Sequence, residues 1–78
     1  MREKRLWALL SFDSTHEALR FEEAAQTAQL TGRLIPLPSC VRAGCGLAWR
    51  SPLDLRERVV ALVAKLEIRD SEIHEVWL

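Results

Sequence analysis

The chain has 78 residues, with eleven basic and eleven acidic side chains, 49% hydrophobic residues and 28% charged residues. This composition is typical of one small globular domain over residues 1–78, and it excludes large enzymes with separate cofactor and substrate domains. Because the net charge is zero, nothing in the composition draws the chain to nucleic acid or to an anionic membrane. A domain this small buries about 60% of its unfolded surface, so we expect one apolar face to stay open.

The amino-terminal apolar stretch from Leu6 to Leu10 is only five residues long. A signal peptide needs about 7–15 apolar residues and a transmembrane helix about 20, so we predict neither and expect a cytosolic protein. The two cysteines, Cys40 and Cys45, are too few for a disulfide framework. In a reducing compartment a close pair of cysteines more often has a chemical or metal-binding role than a structural one.

The first predicted elements are a strand over residues 5–12 and a helix that runs from Ser14 to about Leu30. Apolar side chains point to both faces of the strand, which predicts a central position in a sheet. Ser14 and Glu17 have the spacing of a capping box at the start of the helix. The apolar stripe of this helix is Ala18, Phe21, Ala25 and Ala28.

Gly32 is expected to end the first helix, and a short second strand is predicted over residues 33–37. Pro36 has no N–H for a strand ladder, which suits an edge strand. Residues 38–44 form the main predicted loop, and a third strand follows around residues 47–50.

The second helix is predicted to begin at Ser51 as its N-cap, with Pro52 in the first helical position. A last strand follows at about residues 73–78. The apolar stripe of the second helix is Leu55, Val59, Leu62, Val63 and Leu66.

The order β-α-β-β-α-β predicts an α+β, ferredoxin-like split βαβ fold: a four-stranded antiparallel sheet with both helices on one face. Right-handed crossovers place the first and third strands in the centre of the sheet. The loop between the second and third strands then lies at the same end as the turn into the first helix. We therefore expect Cys40 and Cys45 to lie near Ser14, Thr15 and His16.

Cys45 is the main candidate for a reactive group. The thiolate is the nucleophilic form of cysteine, and a helix N-terminus or a positive charge such as that of Arg42 favours it. Gly44 and Gly46 flank Cys45 without side chains, which leaves space for a partner to approach the sulfur. The alternative is that Cys45 is a small buried residue at the start of the third strand.

Three segments of the chain match family patterns in order: FDSTHEAL at residues 12–19, LIPLP at residues 34–38 and CGLA at residues 45–48. They resemble the F-x-S-T-H-x-A-L, P-x-P and Cys-Gly patterns of the selenium/sulfur carrier-like domain family of small bacterial proteins. The resemblance runs nearly end to end. It implies that Cys45 holds sulfur or selenium as a persulfide or selenosulfide, taken from a desulfurase-like donor and delivered to an acceptor protein. This role is that of a carrier without an organic cofactor rather than of a turnover enzyme.

The loop before Cys45 departs from the family pattern, in which an arginine, an acid and paired serines are usual. Cys40 is an addition there and is either a resolving thiol or a plain loop residue. His16 is either a base or hydrogen-bond partner for the bound chalcogen or an exposed histidine without a role. Ser14 serves first as an N-cap, and the backbone beside it, including Thr15, could bind selenide, hydrosulfide or a carboxylate.

The three tryptophans, Trp7, Trp49 and Trp77, lie one each on the first, third and fourth strands. On the open face of the sheet they would form an aromatic patch that supports a homodimer. The alternative function is then a non-catalytic interaction module that dimerises through this face. For any single tryptophan, a place in the core under the helices is the competing interpretation.

Two other functions receive less support. An RNA-binding sheet shares this fold, but the sequence lacks the basic aromatic RNP1 pattern and has no net positive charge. A zinc site could draw on Cys40, Cys45, His16 and His74, but their spacing fits no standard zinc motif. We therefore expect no nucleic-acid partner and no metal.

Overall fold

The computed structural model of the protein describes residues 4–41 and 45–78. Within these residues the chain forms four strands, two α-helices and one short 3₁₀ helix. The elements are β1 (Leu6–Ser11), α1 (Thr15–Thr27), β2 (Arg33–Pro36), β3 (Leu47–Pro52), the 3₁₀ helix (Leu53–Leu55), α2 (Arg56–Leu66) and β4 (Glu72–Trp77).

The strands form one antiparallel sheet in the order β2-β3-β1-β4, so β1 and β3 are central. Side chains of both helices pack with those of β1 and β3 in one cluster, on the face that we call the helix side. The opposite face is called the outer face. The predicted ferredoxin-like α+β fold, with its central and edge strands, is confirmed.

β1 is buried on both of its faces, as its apolar pattern predicts. Leu10 lies in the helix-side core, whereas Leu9 lies on the outer face and is covered there by Val41 from the loop after β2. The aromatic rings of the helix-side core are in contact, since the ring centroids of Phe21 and Trp49 are 5.4 Å apart. The buried helix-side core consists of Leu10, Phe12, Ala18, Phe21, Ala25, Leu30, Trp49, Val59 and Ile68.

α1 ends earlier than predicted, at Thr27 rather than near Leu30. The chain leaves the helix through a Schellman motif, in which Gln29 takes a left-handed conformation with φ of 56°. The Leu30 N–H then donates to the Ala25 carbonyl at 2.9 Å, and the Leu30 side chain is buried in the core. The helix is thus ended by Gln29, and Gly32 has a different role.

α2 also differs from its predicted start, because a 3₁₀ turn precedes it and the regular helix begins at Arg56. Its end repeats the motif of α1. Glu67 is left-handed with φ of 55°, and the Ile68 N–H donates to the Val63 carbonyl at 3.1 Å. In both helices the residue after the left-handed position is a buried aliphatic side chain, so helix termination and core packing are linked.

Ser51 was expected to cap the second helix, but it lies in β3 with its side chain fully buried. Its hydroxyl accepts a hydrogen bond from Trp49 Nε1 at 2.7 Å and donates one to the Thr31 carbonyl at 2.7 Å. It thereby satisfies the one polar atom of the buried indole. Gly32 packs against the same two side chains, since a Cβ there would lie 2.7 Å from Ser51 Oγ and 2.8 Å from the Trp49 ring.

The predicted patch of three tryptophans on the open face is wrong. Trp49 is 1% exposed and belongs to the helix-side core. Trp77 lies on the same face of the edge strand β4 as Ile73, which is the helix side. Its side chain is 63% exposed there. Trp7 lies on the outer face with Leu9. The tryptophans therefore do not form the patch that was expected to support a homodimer through the open face. The homodimer stays a prediction.

Replacing the Ser51 hydroxyl should destabilise the fold. In Ser51→Ala the buried Trp49 Nε1 and the Thr31 carbonyl lose their shared partner, so we expect the free energy of unfolding to fall by about 1–3 kcal/mol. Urea unfolding followed by tryptophan fluorescence measures this change. Ser39→Ala, at an exposed position, is the control and should stay within about 0.5 kcal/mol of the wild type. Equal effects of the two substitutions would contradict the role given to Ser51.

Candidate functional site

Cys45 lies immediately before β3 and is tied by its backbone to the end of β1. Its N–H donates to the Phe12 carbonyl at 3.4 Å. Its side chain is half-buried against the edge of the helix-side core, with Sγ 3.7 Å from the Leu47 carbonyl oxygen. The sulfur is therefore held by β1 and β3 together, with part of its surface accessible to solvent.

Gly46 gives this segment its shape. Its φ of +79° lies in the left-handed region, and among the described residues no atom beyond the adjacent Cys45 and Leu47 lies within 4 Å of the position that a Cβ would occupy. Its carbonyl accepts a hydrogen bond from the Leu37 N–H at 2.8 Å, which extends the pairing of β2 with β3. The space expected beside Cys45 is thus present at Gly46, while the expectations for Arg42 and Gly44 lie outside the described residues.

The N-terminus of α1 follows β1 directly, as predicted. Ser14 is the N-cap, and its hydroxyl accepts a hydrogen bond from the Glu17 N–H at 3.2 Å. Thr15 and His16 are exposed in the first turn. The Phe12 carbonyl, which accepts the hydrogen bond from the Cys45 N–H, lies two residues before the N-cap Ser14. The structure therefore brings the Cys45 backbone to the turn that contains Ser14, Thr15 and His16.

The second half of the predicted capping box is replaced by an ion pair. Glu17 Oε1 accepts a hydrogen bond from Arg20 at 2.7 Å, and this contact is the main cause that lowers the pKa of Glu17 below its ordinary value. The Arg69 N–H, 3.4 Å from Glu17 Oε2, lowers the pKa further, while desolvation acts in the opposite direction. Arg20 also donates to the Leu66 carbonyl at 2.9 Å, so the first turn of α1 is joined to the end of α2.

Cys40 is exposed and lies in a turn in which the Val41 N–H donates to the Pro38 carbonyl at 3.0 Å. Val41 packs onto the outer face of the sheet, whereas Cys45 packs at the edge of the helix-side core. Val41, beside Cys40, and Cys45 itself are therefore anchored on opposite faces of the sheet. Both cysteines are free thiols.

A polar cluster on the outer face was missed by the sequence analysis, which considered His74 only as a zinc ligand. Ser11 is buried and its Oγ lies 3.1 Å from His74 Nε2, while Glu72 Oε2 lies 3.8 Å from the same nitrogen. A catalytic triad would need the carboxylate at the other ring nitrogen, so the arrangement is not one. Only the cross-strand register of β1 and β4 places these residues together.

Residues 4–41 and 45–78 contain no group of three or more His, Cys, Asp or Glu side chains placed to hold a metal ion. Neither α1 nor α2 is long and apolar enough to cross a bilayer.

The fold and the position of Cys45 define a small α+β protein with a thiol at the end of its sheet. The chain belongs to the Putative Se/S carrier protein-like family, whose model matches residues 8–75. The match begins within β1, ends within β4 and includes both cysteines. No curated protein and no solved structure is significantly similar to the chain.

Glu17 should stabilise the fold in a pH-dependent way. Its pKa is lower in the folded than in the unfolded chain, so its contribution is complete above the ordinary value of 4.5 and is lost as the pH falls through the folded pKa. We therefore expect Glu17→Gln to lower the unfolding temperature near neutral pH, by an amount that shrinks in acid. Thermal unfolding at several pH values, followed by circular dichroism, measures this.

Glu23→Gln is the matched control, since Glu23 is exposed on the same helix and forms no ion pair within the described part of the chain. It should leave the unfolding temperature nearly unchanged at every pH. A pH-independent effect of Glu17→Gln would contradict the assignment to the carboxylate.

Proposed function

We propose that this protein carries sulfur or selenium on Cys45, as a persulfide or selenosulfide, from a donor protein to an acceptor protein. The membership of the family supports the class of cargo. The single observation that carries the assignment to Cys45 is its placement: a half-buried sulfur, fixed by the bond of the Cys45 N–H to Phe12 and followed by the open left-handed Gly46.

Loading begins from a donor that holds a cysteine persulfide, as a cysteine desulfurase does. The Cys45 thiolate attacks the outer sulfur of that persulfide, a new S–S bond forms on Cys45, and the donor S–S bond breaks. The electron pair of the broken bond leaves on the donor thiolate. Delivery is the reverse step, in which an acceptor nucleophile takes the outer sulfur and Cys45 leaves as its thiolate. Neither step needs an external oxidant or reductant.

The half-buried position of Cys45 suits a carrier better than full exposure would. A persulfide reacts readily with other thiols, so a sulfur that is partly covered by the core is protected from small thiols in solution. Gly46 adds no side chain beside the sulfur, and within residues 4–41 and 45–78 no atom outside the adjacent residues lies within 4 Å of the place of its missing Cβ. A partner protein reaches the sulfur on the side of Gly46.

The turn into α1 would act on the anionic forms of the bound group. The first backbone N–H groups of a helix and its dipole favour a negative charge nearby. Ser14 and Thr15 form this N-terminus, and we assign them to stabilisation of the thiolate or perthiolate on Cys45. His16, exposed in the same turn, is assigned as the hydrogen-bond partner or base for the terminal chalcogen.

Cys40 is assigned a secondary role in this scheme. It is exposed and lies next to Val41, which packs on the outer face, whereas Cys45 packs at the edge of the helix-side core. As a resolving thiol it would attack the sulfur of Cys45 that bears the cargo, form a disulfide and release the cargo in reduced form. This step requires residues 41–45 to bring the two Cα atoms to about 4.4–6.8 Å.

Alkylation rates distinguish activation of Cys45 from simple exposure. Exposure alone would make Cys40 react faster, whereas the carrier role requires Cys45 to be the more reactive thiol. We expect Cys45 in the Cys40→Ser variant to react with iodoacetamide faster than Cys40 in the Cys45→Ser variant at the same pH. If Cys40 reacts at least as fast as Cys45, the activation of Cys45 is refuted.

Sulfur transfer is tested by intact-mass spectrometry after incubation with a cysteine desulfurase and cysteine. We expect one sulfur atom to be added to the wild type and to Cys40→Ser, and its removal by dithiothreitol. Cys45→Ser is the matched variant and should gain no mass, although it keeps the exposed Cys40. Equal labelling of Cys45→Ser, or no adduct with any of several desulfurases, would overturn the assignment of Cys45 as carrier.

A further inference from the structure

The two edge strands of the sheet differ in how well they can accept a further strand. β2 has four residues and ends at Pro36, which has no N–H to donate, so its edge is poorly suited to pairing. β4 has six residues and contains no proline. In the part of the chain that the structure describes, β1 is the only strand that pairs with β4. The outer edge of β4 can therefore accept another strand.

The pairing of β4 with β1 determines which backbone groups face outward. The Arg5 N–H donates to the Leu78 carbonyl at 3.1 Å, and the Leu78 N–H donates to the Arg5 carbonyl at 3.0 Å. In an antiparallel ladder such hydrogen-bonded pairs alternate with pairs that exchange no bond. The regular register therefore directs the N–H and C=O groups of Ile73, Glu75 and Trp77 away from β1. We call these three residues the β4 edge.

The side chains of the β4 edge lie on the helix side of the sheet. Ile73 packs against the helix-side core, and Trp77 lies four residues along on the same face. Trp77 is 63% exposed, more than the other exposed large apolar side chains, Leu19 and Val60. Tryptophan is among the side chains that most often dominate the binding energy of protein interfaces. The strand that can accept another strand thus also carries the most exposed large apolar side chain.

We propose that two copies of the chain pair through β4 in an antiparallel, twofold-symmetric dimer, which joins their sheets into one continuous sheet. A twofold axis perpendicular to the sheet keeps the helix sides of both copies on one face, so residues opposite each other must share a face. With the axis at Glu75, each Ile73 lies opposite Trp77 of the second copy. All three residues of the β4 edge then form hydrogen-bonded pairs, each of which exchanges two bonds.

This register makes the β4 edge complementary to itself. Cross-strand pairs of an aromatic and a β-branched side chain stabilise a sheet, and symmetry forms the Ile73–Trp77 pair twice. The exposed indole of one copy thus meets an aliphatic side chain that is already packed against the core of the other. A shift of the register by two residues would separate Ile73 from Trp77 and leave one residue of each β4 edge without a partner from the other edge.

The charges of the dimer axis are compensated within each chain. The two Glu75 side chains would lie opposite each other, and like charges in such a pair are destabilising. Each Glu75 Oε2, however, lies 3.2 Å from Arg56 Nε of its own chain. Two carboxylates and two guanidinium groups therefore enter the interface together, and their charges sum to zero. The ion pair with Arg56 makes the register centred on Glu75 electrostatically acceptable.

The dimer leaves the thiol accessible. Cys45 precedes β3, and β1 lies between β3 and β4 in the sheet. A second copy on the outer side of β4 is therefore separated from Cys45 by two strands. The interface uses the edge of the sheet and not its open face. The proposal is independent of the chemistry assigned to Cys45, because it rests on the strand register, the exposure of Trp77 and the ion pair of Glu75.

Sedimentation velocity of the full chain tests the association. The measurement covers about 10 μM to 1 mM protein in dithiothreitol, which prevents a disulfide between exposed Cys40 residues. We expect an equilibrium between monomer and dimer, with the dimer dominant at the highest concentration. A monomer at every concentration would overturn the proposal.

Amide hydrogen exchange of the ¹⁵N-labelled protein locates the contact. The N–H groups of Ile73, Glu75 and Trp77 face solvent in the monomer and donate across the interface in the dimer. We therefore expect their exchange to slow several-fold over the same concentration range. His74 and Val76, whose N–H groups face β1, are internal controls that should change less. Slow exchange at the β4 edge that does not depend on concentration would show that one chain covers its own edge, and would contradict the proposal.

Variants assign the dimer to the β4 edge. Glu75→Pro removes an outward N–H, and so two hydrogen bonds per dimer, without removing a bond to β1. We expect it to weaken dimerisation about tenfold or more. Glu75→Gln keeps the N–H, is the matched control and should still dimerise. Circular dichroism shows whether each variant is folded.

A second pair of variants tests the side-chain contact in case Glu75→Pro does not fold. Trp77→Lys should weaken dimerisation, because it replaces the indole that meets Ile73 with a charged side chain. Leu19→Lys makes the same change at an exposed apolar position on α1 and should dimerise like the wild type. A dimer that Trp77→Lys leaves intact would place the contact on another surface and overturn the proposal.

Discussion

The burial of β1 on both faces is the constraint on which the rest of the structure depends. Leu10 is covered by the two helices, and Leu9 is covered by Val41 from the loop after β2. This strand of six residues therefore positions both the helices on one face of the sheet and the loop segment on the other. It also fixes the point at which the chain turns into α1. The same strand positions the Phe12 carbonyl, which accepts a hydrogen bond from the Cys45 N–H.

The position of the candidate site follows from this constraint. The loop between β2 and β3 packs Val41 on the outer face before it returns Cys45 to the helix side. The loop is thus held at two points, one on each face, and Gly46 supplies the left-handed backbone that lets the chain enter β3. Cys45 is consequently placed by its contacts with the end of β1, with β3 and with the helix-side core.

Much of the fold was predictable because it is encoded by short-range patterns. The alternation along β1, the apolar stripes of the helices and the Ser14 cap depend on residues within four positions of one another. The order of elements then limits the topology, because crossovers are right-handed. The placement of Cys45 beside the start of α1 follows from that topology, and the flanking Gly46 was visible in the sequence.

The sequence by itself thus determined the order of elements, the central strands and the identity of the candidate cysteine. Only the tertiary structure decided which face each tryptophan occupies, that Ser51 satisfies Trp49, and that Arg33 stands opposite Arg50. An alternating pattern defines two faces of a strand but not which of them is covered, and it contains no information on the register between strands. Both are fixed by packing between segments that are distant in the chain.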